Sequence, residues 1–337
     1  MSAPRVLFLL PDVVNPSGGV WVVYRHAAIL AANGIDARVV HQAPGYRYPW
    51  DTSGTPTTSV DEITLTGHDL LVLPDVAAPA IHDIGLDQPV VVFSQNAYLT
   101  PWERPAHRAE PDNPYRAPNL IGVVTTNVDN LRVLARGFPH LDVRRLFLTV
   151  DPSMAAAPTG KEPLVSYMPR KNPADAAIVV ERLRDRGAFA GLDVQPISGC
   201  THAETAAILA RSSVFLSFGF PEGWALPPAE AMASGCVIVG YHGLGGREYW
   251  VPGCTHPIEF GALDDFVDTA AGVLDQLRAD AGAVHEAGRR AAAFIRSTYP
   301  PEQEERSVVD TWSWALERAD RFRSTAVLDE RSTRTAS

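Results

Sequence analysis

The chain has 337 residues, of which 46% are hydrophobic and 20% charged, and its formal net charge is −10. This length accommodates two domains of about 150 residues each, and the composition excludes disorder for the bulk of the chain. The acidic balance argues against nucleic-acid binding, because such binding requires a basic face that neutralises phosphates.

The first half of the chain alternates strands with helices. An apolar run at residues 5–11 predicts a parallel strand buried on both faces. A helix is predicted at residues 20–32, since Asn33 and Gly34 form a typical C-terminal stop. Further strands are predicted at residues 35–41, 69–73, 89–94 and 120–125, and a helix capped by Asn127 at 127–136. Two long loops, functional or mobile, are predicted at 46–59 and 95–118, which are rich in proline and polar residues.

The second half repeats this alternation. Strands are predicted at residues 164–168, 193–197, 214–218 and 236–241, and helices at 173–186, 203–211, 227–234, in two pieces at 263–296, and at 302–323. The polar tail at 324–337 predicts disorder. We expect an α/β protein with two facing, doubly wound parallel-sheet domains, at residues 1–150 and 151–323, and a final helix that returns to the first domain. Ligands of such sheets bind at the carboxyl ends of the strands.

The most informative segment lies at residues 218–250. It contains an acid, a glycine, an aromatic residue and two apolar residues, with a second acid eight positions after the first: Glu222, Gly223, Trp224, Ala225, Leu226 and then Glu230. Pro227 and Pro228 mark the start of a helix. The loop before them therefore lies at a helix N-terminus, where free N–H groups and the helix dipole attract phosphate.

This segment resembles the donor-binding signature of GT-B-fold glycosyltransferases, in particular retaining family 4 (group 1). The spacing of the acids, the prolines and the following Ala-Met-Ala agree with that signature, whereas Ala225 stands where the family more often has glycine. The resemblance implies a Rossmann-like, GT-B-like fold, and a Glu222 that contacts the transferred sugar and stabilises positive charge at its anomeric carbon. It also implies that Glu230 holds the ribose of a nucleotide, and that the amides of residues 223–226 hold the sugar and diphosphate.

Two adjacent cations, Arg170 and Lys171, follow the strand predicted at 164–168. All but two of the 29 basic residues are arginine, and Lys171 is one of the two lysines. In the family, an Arg and a Lys after this strand neutralise the leaving diphosphate, and such cations stabilise a departing anion. Because the family separates the two by several residues, the sequence leaves open which of them reaches the phosphate.

Candidate binding residues also occur in the first domain. The family uses a Gly-Gly turn, here Gly18-Gly19, against the donor and acceptor. At the end of a predicted strand, Gln95, Asn96 and Tyr98 are interpreted as acceptor contacts. The alternative for these three is a strand-end turn whose polar groups satisfy one another.

Two further positions are a histidine and a second glycine-rich turn. His26, within the first predicted helix, is interpreted as a packing residue. A second glycine-rich turn, at 243–246, is expected to line the donor pocket, with Arg247 or Glu248 close by.

The resemblance implies a glycosyltransferase that moves a hexose from a nucleotide diphosphate-sugar to a hydroxyl of a small-molecule, glycan or lipid-linked acceptor, in carbohydrate or natural-product biosynthesis. No Asp-x-Asp motif occurs, so we expect neither a metal nor a resident cofactor. Three cysteines and the lack of a long apolar run predict a soluble, cytoplasmic protein and leave peripheral membrane contact open.

Other functions stay open from the sequence. They are an inverting glycosyltransferase, a sugar-nucleotide epimerase, or a catalytically silent relative that acts as a binding or partner subunit. A nicotinamide dehydrogenase is disfavoured because the glycine fingerprint of a dinucleotide-binding turn is missing.

Overall fold

The computed structural model of the chain describes residues 4–13, 17–51, 54–99, 113–157 and 160–335, with side chains as far as residue 325. Parts of the two predicted loops (52–53 and 100–112), Asn15 in the turn before the first helix, and the last two residues of the predicted tail lie outside this description. The chain divides into two compact units, Met1–Phe147 with Glu304–Ser337, and Leu148–Gln303.

The first unit contains a parallel sheet of seven described strands. They are β1 (Arg5–Leu9), β2 (Ala37–His41), β3 (Thr57–Ser59), β4 (Asp69–Pro74), β5 (Val90–Ser94), β6 (Leu120–Thr125) and β7 (Val143–Arg145), in the spatial order β3-β2-β1-β4-β5-β6-β7. Among the described residues, α1 (Gly18–Ala32) connects β1 to β2, α2 (Val128–Gly137) connects β6 to β7, and a 3₁₀ helix, Asp75–Asp83, lies between β4 and β5. Asn127 caps α2 as predicted, because its side chain accepts a hydrogen bond from the amide of Asn130.

The second unit contains a parallel sheet of five described strands. They are β8 (Leu164–Tyr167), β9 (Asp193–Pro196), β10 (Val214–Ser217), β11 (Val237–Gly240) and β12 (Thr255–Pro257), in the order β12-β11-β10-β8-β9. Its helices are α3 (Pro173–Asp185), α4 (His202–Arg211), α5 (Leu226–Ala233), α6 (Leu263–Ala279) and α7 (Ala281–Thr298). The doubly wound α/β class predicted from the sequence is therefore confirmed for both sheets.

Both sheets change their direction of winding beside their first strand. In the first unit β1 lies between β2 and β4, and in the second β8 lies between β9 and β10. Loops that leave the carboxyl ends of strands on either side of such a switch diverge and open a crevice. The crevice of the first sheet therefore lies at the carboxyl ends of β1 and β4, and that of the second sheet at the carboxyl ends of β8 and β10.

The last helix, α8 (Pro301–Thr335), completes the core of the first unit. Trp312 is fully buried and packs edge-on against Phe8 of β1, with ring centroids 4.9 Å apart. Gly122 of β6 leaves room for Trp314, since a Cβ at this glycine would lie 2.7 Å from the indole. The helix extends to Thr335, into the segment 324–337 for which the sequence predicts disorder. The segment 324–335 has no glycine or proline to end the helix.

Helix α8 is also the longest helix of the described residues, yet it is rich in charged side chains. Within the described part of the chain, no helix combines the length and the apolar character that crossing a bilayer requires.

Candidate active site

The ends of β8 and β10 bring two of the predicted residues together. The strands are neighbours, with Tyr167 in register with Leu216. Asn172 ties the two loops, since its side-chain amide donates to the carbonyls of Phe218 (2.5 Å) and Phe220 (3.2 Å). Nζ of Lys171 lies 3.3 Å from Oε2 of Glu222. The separate sequence predictions for these two residues thus describe one site.

The Glu222 carboxylate experiences two opposing effects. Its side chain is 16% exposed, and the loss of hydration raises the pKa of the carboxyl above its usual range. The charge of Lys171, and to a smaller extent that of Arg170, acts in the opposite direction. Lys171 makes the ion pair, whereas exposed Arg170 acts on Glu222 through space. The two cations, Lys171 and Arg170, therefore place positive charge beside a carboxylate that has little water around it.

The 222–226 loop is fastened to the glycine-rich turn at 243–246. The amide of Glu222 donates to the carbonyl of Gly243 (2.7 Å), and the amide of Gly245 donates to the carbonyl of Glu222 (3.3 Å). Gly243 has φ of 69°, and a Cβ there would lie 2.7 Å from Cβ of Glu222. Only glycine combines this left-handed backbone with so close an approach. The second glycine-rich turn therefore lies directly against Glu222.

At the N-terminus of α5, the backbone N–H donors differ from those of the expected phosphate site. Pro227 and Pro228 follow the first helical residue, Leu226, and proline has no N–H group. The amide donors that remain come mainly from the loop itself, at residues 223–226. Among the described residues, none of these four amides donates a hydrogen bond to another group. Gly223 is buried, so its N–H is positioned for an acceptor that the protein does not supply.

Glu230 lies on α5, one turn beyond the loop. It is 8% exposed, and its carboxylate has no hydrogen bond or ion pair with any described residue. Burial, and to a smaller extent the nearby charge of Asp151, raises the pKa of this carboxyl to about 7. A buried carboxylate without a partner is costly unless a ligand supplies donors.

Trp224 is the anchor of the loop. Its indole is 3% exposed and packs edge-on against Tyr249 and Tyr299, at centroid distances of 5.2 and 5.0 Å. Its Nε1 donates to Oε1 of Glu248 (3.1 Å). The hydroxyl of Tyr249 donates to the carbonyl of Ala225 (2.6 Å), whose φ of 50° lies in the left-handed region. The sequence placed Glu248 near this site, but no local pattern indicated Tyr249 or Tyr299.

In the first unit, the Gly-Gly turn meets the end of β5. Gly18 is the first residue of α1, and the carbonyl of Gly19 accepts a hydrogen bond from the side-chain amide of Gln95 (2.9 Å). Oδ2 of Asp75, which follows β4, accepts the amides of Gln95 (2.6 Å) and Asn96 (3.0 Å). Sequence analysis missed Asp75. An aspartate directly after a buried strand was the signal that could have indicated it.

Tyr98 is engaged within the same unit. Its hydroxyl donates to Asp129 (2.7 Å), and its amide donates to the side chain of Asn96 (3.2 Å). The side-chain amide of Asn130 donates to the carbonyl of Gln95 (2.9 Å). Such bonds are what the alternative interpretation predicts, in which the polar groups of a strand-end turn satisfy one another.

Two histidines of the first unit, His26 and His41, lie in packed surroundings within the fold. His26 is fully buried beside Phe93, at 5.1 Å between ring centroids, and burial lowers its pKa to about 3, so the predicted packing role is confirmed. His41 lies between Tyr24 and Asp12: the Tyr24 hydroxyl is 2.6 Å from Nε2, and Asp12 is 2.9 Å from Nδ1. Burial lowers the pKa of His41, although Asp12 opposes this.

Over the described ranges, no group of three or more His, Cys, Asp or Glu side chains is arranged to hold a metal ion. Cys200, Cys236 and Cys254 are free thiols.

The two doubly wound units have the fold of the GT-B glycosyltransferases. No protein-family model matches the sequence, and no curated protein does. Among solved structures, the sucrose-phosphate synthase of Thermosynechococcus elongatus matches with a TM-score of 0.66 at 13% identity, over 93% of this chain and 99% of that one. TarM of S. aureus, in a complex with fondaparinux, α-GlcNAc-glycerol and UDP, matches with a TM-score of 0.68 at 10% identity, over 93% and 99%.

A third structure, WaaG, a glycosyltransferase involved in lipopolysaccharide biosynthesis, matches with a TM-score of 0.61 at 13% identity, over 90% of this chain and 98% of that one. The chain thus spans nearly the full length of each of these proteins. At such low identities the likeness establishes the fold alone.

Proposed function

We propose that the chain is a retaining glycosyltransferase of the family 4 type, which transfers a sugar from a nucleotide diphosphate-sugar to an acceptor hydroxyl without a metal ion. The observation that carries this proposal is the meeting of Lys171 and Glu222 at the ends of adjacent strands. We assign the nucleotide ribose to Glu230 on the following helix, a buried carboxylate that has no partner among the described residues.

The cations serve the leaving group. As the bond between the anomeric carbon and the diphosphate oxygen breaks, negative charge develops on the phosphate, and preorganised donors lower the barrier most where charge develops. Lys171 lies beside the reacting carbon's proposed position, next to Glu222, and Arg170 adds its charge from the adjacent position. The amides of residues 223–226 supply neutral donors. Together, these cations and amides would have the role that a metal ion has in metal-dependent transferases.

Glu222 serves the sugar. The transferred ring gains positive charge at its anomeric carbon, and a carboxylate with little hydration stabilises such charge strongly. In the retaining reaction the bond from the anomeric carbon to phosphate breaks and a bond to the acceptor oxygen forms on the same face. The acceptor proton passes to the departing phosphate oxygen. The turn at 243–246, which holds the backbone of Glu222, keeps the carboxylate in place during this step.

Glu230 serves the nucleotide. Two ribose hydroxyls are donors that would satisfy its carboxylate, and binding would offset the cost of burying it. The solved structures of HepE from Anabaena contain UDP, or UDP with glucose, and that of the pneumococcal O-GlcNAc transferase GtfA contains UDP with GlcNAc. We therefore propose a uridine diphosphate-sugar as the donor to test first.

The first unit is proposed to bind the acceptor, a small molecule, a glycan or a lipid-linked saccharide, through Gly19, Gln95 and Asn96. A cytoplasmic location is proposed with it, because free cysteines suit a reducing compartment.

A thermal-shift panel tests the donor. Uridine, guanosine, adenosine and thymidine diphosphates are compared with their sugar conjugates and with the matching monophosphates. We expect a selective rise in Tm with the uridine series that depends on the second phosphate. NMR of the transfer product then gives the configuration at the anomeric carbon. An inverted product, interconversion of free UDP-sugars, or neither binding nor transfer would point to the inverting, epimerase and silent alternatives, respectively.

A further inference from the structure

The 222–226 loop is held by the 243–249 segment at three points. The backbone of Glu222 bonds to Gly243 and Gly245, the indole of Trp224 to Glu248, and the carbonyl of Ala225 to Tyr249. The first and third of these involve backbone groups of the loop. Of these three contacts, the bond to Glu248 is the one that joins a charged side chain to a side chain of the loop.

Glu248 joins two aromatic residues that are far apart in the sequence. Its Oε1 accepts the indole N–H of Trp224 at 3.1 Å and the hydroxyl of Tyr299 at 3.4 Å. Tyr299 is buried and directly follows α7, so this carboxylate connects the loop to the end of a long helix. A charge-assisted bond to a buried indole fixes the orientation of the ring as well as its depth.

We propose that Glu248 is a positioning residue of the sugar-transfer site, which acts through Trp224 to keep Glu222 in its reactive orientation. This inference rests on the function proposed above. Ala225, next to Trp224, has the left-handed backbone that a residue with a Cβ adopts at a cost, so the loop relaxes when its restraints are removed. Loss of the Glu248 carboxylate leaves the buried indole N–H without its acceptor and removes one restraint. Glu222, two residues before Trp224, then moves with the loop.

The competing explanation is that Glu248 itself contacts the donor, since it follows the glycine-rich turn beside Glu222. Three variants separate the two. Glu248→Ala removes the acceptor, Glu248→Gln keeps an acceptor oxygen without the charge, and Trp224→Phe keeps the ring without the N–H. Glu259→Ala, at an exposed acid of the same unit, is the matched control.

If Glu248 acts through Trp224, Glu248→Ala and Trp224→Phe lower kcat to a similar extent, about tenfold or more, as displacement of a reacting group does. The double variant is then no worse than either single one. Glu248→Gln restores most of the rate lost in Glu248→Ala. We expect the Kd for UDP to change little, because Lys171 and Glu230 hold the nucleotide. Near-normal kcat in Trp224→Phe together with loss of activity in both Glu248 variants would overturn the proposal in favour of direct contact.

Amide hydrogen exchange of the peptide that spans residues 219–226 gives a readout that needs no substrate. We expect faster exchange in Glu248→Ala and Trp224→Phe than in the wild type, the Glu259→Ala control or Glu248→Gln. Unchanged exchange in the first two variants overturns the positioning role whether or not the protein transfers sugar. Absence of UDP binding and transfer in the wild type would instead overturn the proposed function.

Discussion

Lys171 and Glu222 form an ion pair, Nζ to Oε2 3.3 Å, from loops that leave two adjacent strands of one sheet. Lys171 is one of two lysines in a chain whose other 27 basic residues are arginine. The other lysine, Lys161, lies in a different setting, where its ammonium donates to the carbonyl of Leu209 (2.9 Å). The two lysines therefore serve as test and control.

Replacement of Lys171 by alanine should change both the rate and its pH dependence. Burial raises the pKa of Glu222 and Lys171 lowers it, so without the lysine the carboxyl takes up its proton at a higher pH. We expect kcat to fall about a hundredfold, and the acidic limb of the pH–kcat profile to move to higher pH. Lys171→Arg keeps the charge and should keep the acidic limb in place, as should Lys161→Arg. An acidic limb that stays where it is in Lys171→Ala would contradict the pairing.

Glu230 should make the folded protein less stable as the pH rises. Its carboxyl has an ordinary pKa of 4.5, and the fold raises this to about 7. Between these values the folded state binds the additional proton, so the free energy of unfolding decreases with increasing pH and then levels off. Glu230→Gln should remove this part of the slope, raise Tm above neutral pH and weaken nucleotide binding. Melting curves of both proteins across this range measure the difference, and parallel curves would refute it.

Gly243 offers a test of the close approach to Glu222. Gly243→Ala places a Cβ 2.7 Å from Cβ of Glu222, whereas Gly253→Ala, with φ of 78°, meets nothing within 4 Å. Both variants carry the same left-handed strain, about 1–2 kcal/mol. We expect activity to drop about tenfold or more for Gly243→Ala alone, since only this change displaces Glu222. Steady-state kinetics and denaturant unfolding of the pair separate this displacement from strain, and equal activities would exclude it.

Asp75 should influence binding of the acceptor substrate and not binding of the nucleotide-sugar donor. Asp75→Ala leaves the amides of Gln95 and Asn96 without their acceptor, at a cost of about 1–3 kcal/mol in the free energy of unfolding. We expect the acceptor KM to increase several-fold while the affinity for UDP is retained. Kinetics at varied acceptor concentration and calorimetry with UDP measure the two quantities. A rise confined to the Kd for UDP would be the contrary result.

Much of the fold follows from local signals. The strand predicted at 120–125 coincides with β6, and Asn127 caps α2, because a continuous apolar run and a polar cap act within a few residues. The short strands β3, β7 and β12 were not predicted. Each has three residues, lies at the edge of its sheet and contains polar side chains, so it has no apolar run.

The candidate site also has parts that local signals in the sequence predict and parts that they do not. The spacing of Glu222 and Glu230 is visible in the sequence because one loop and one helix carry both. The register between β8 and β10, which pairs Lys171 with Glu222, is set by packing across the whole sheet. Tyr299 comes to Trp224 from beyond α7, and neither residue has a local pattern that indicates the other.

Helix α8 makes the first unit depend on a segment that is synthesised after the second unit. Trp312 fills the space beside Phe8, yet the two residues lie near opposite ends of the sequence. The second unit, Leu148–Gln303, is continuous and is synthesised in full before α8 is. During translation the sheet of the first unit therefore exposes its site for Trp312 until α8 is made. The second unit can fold before that point.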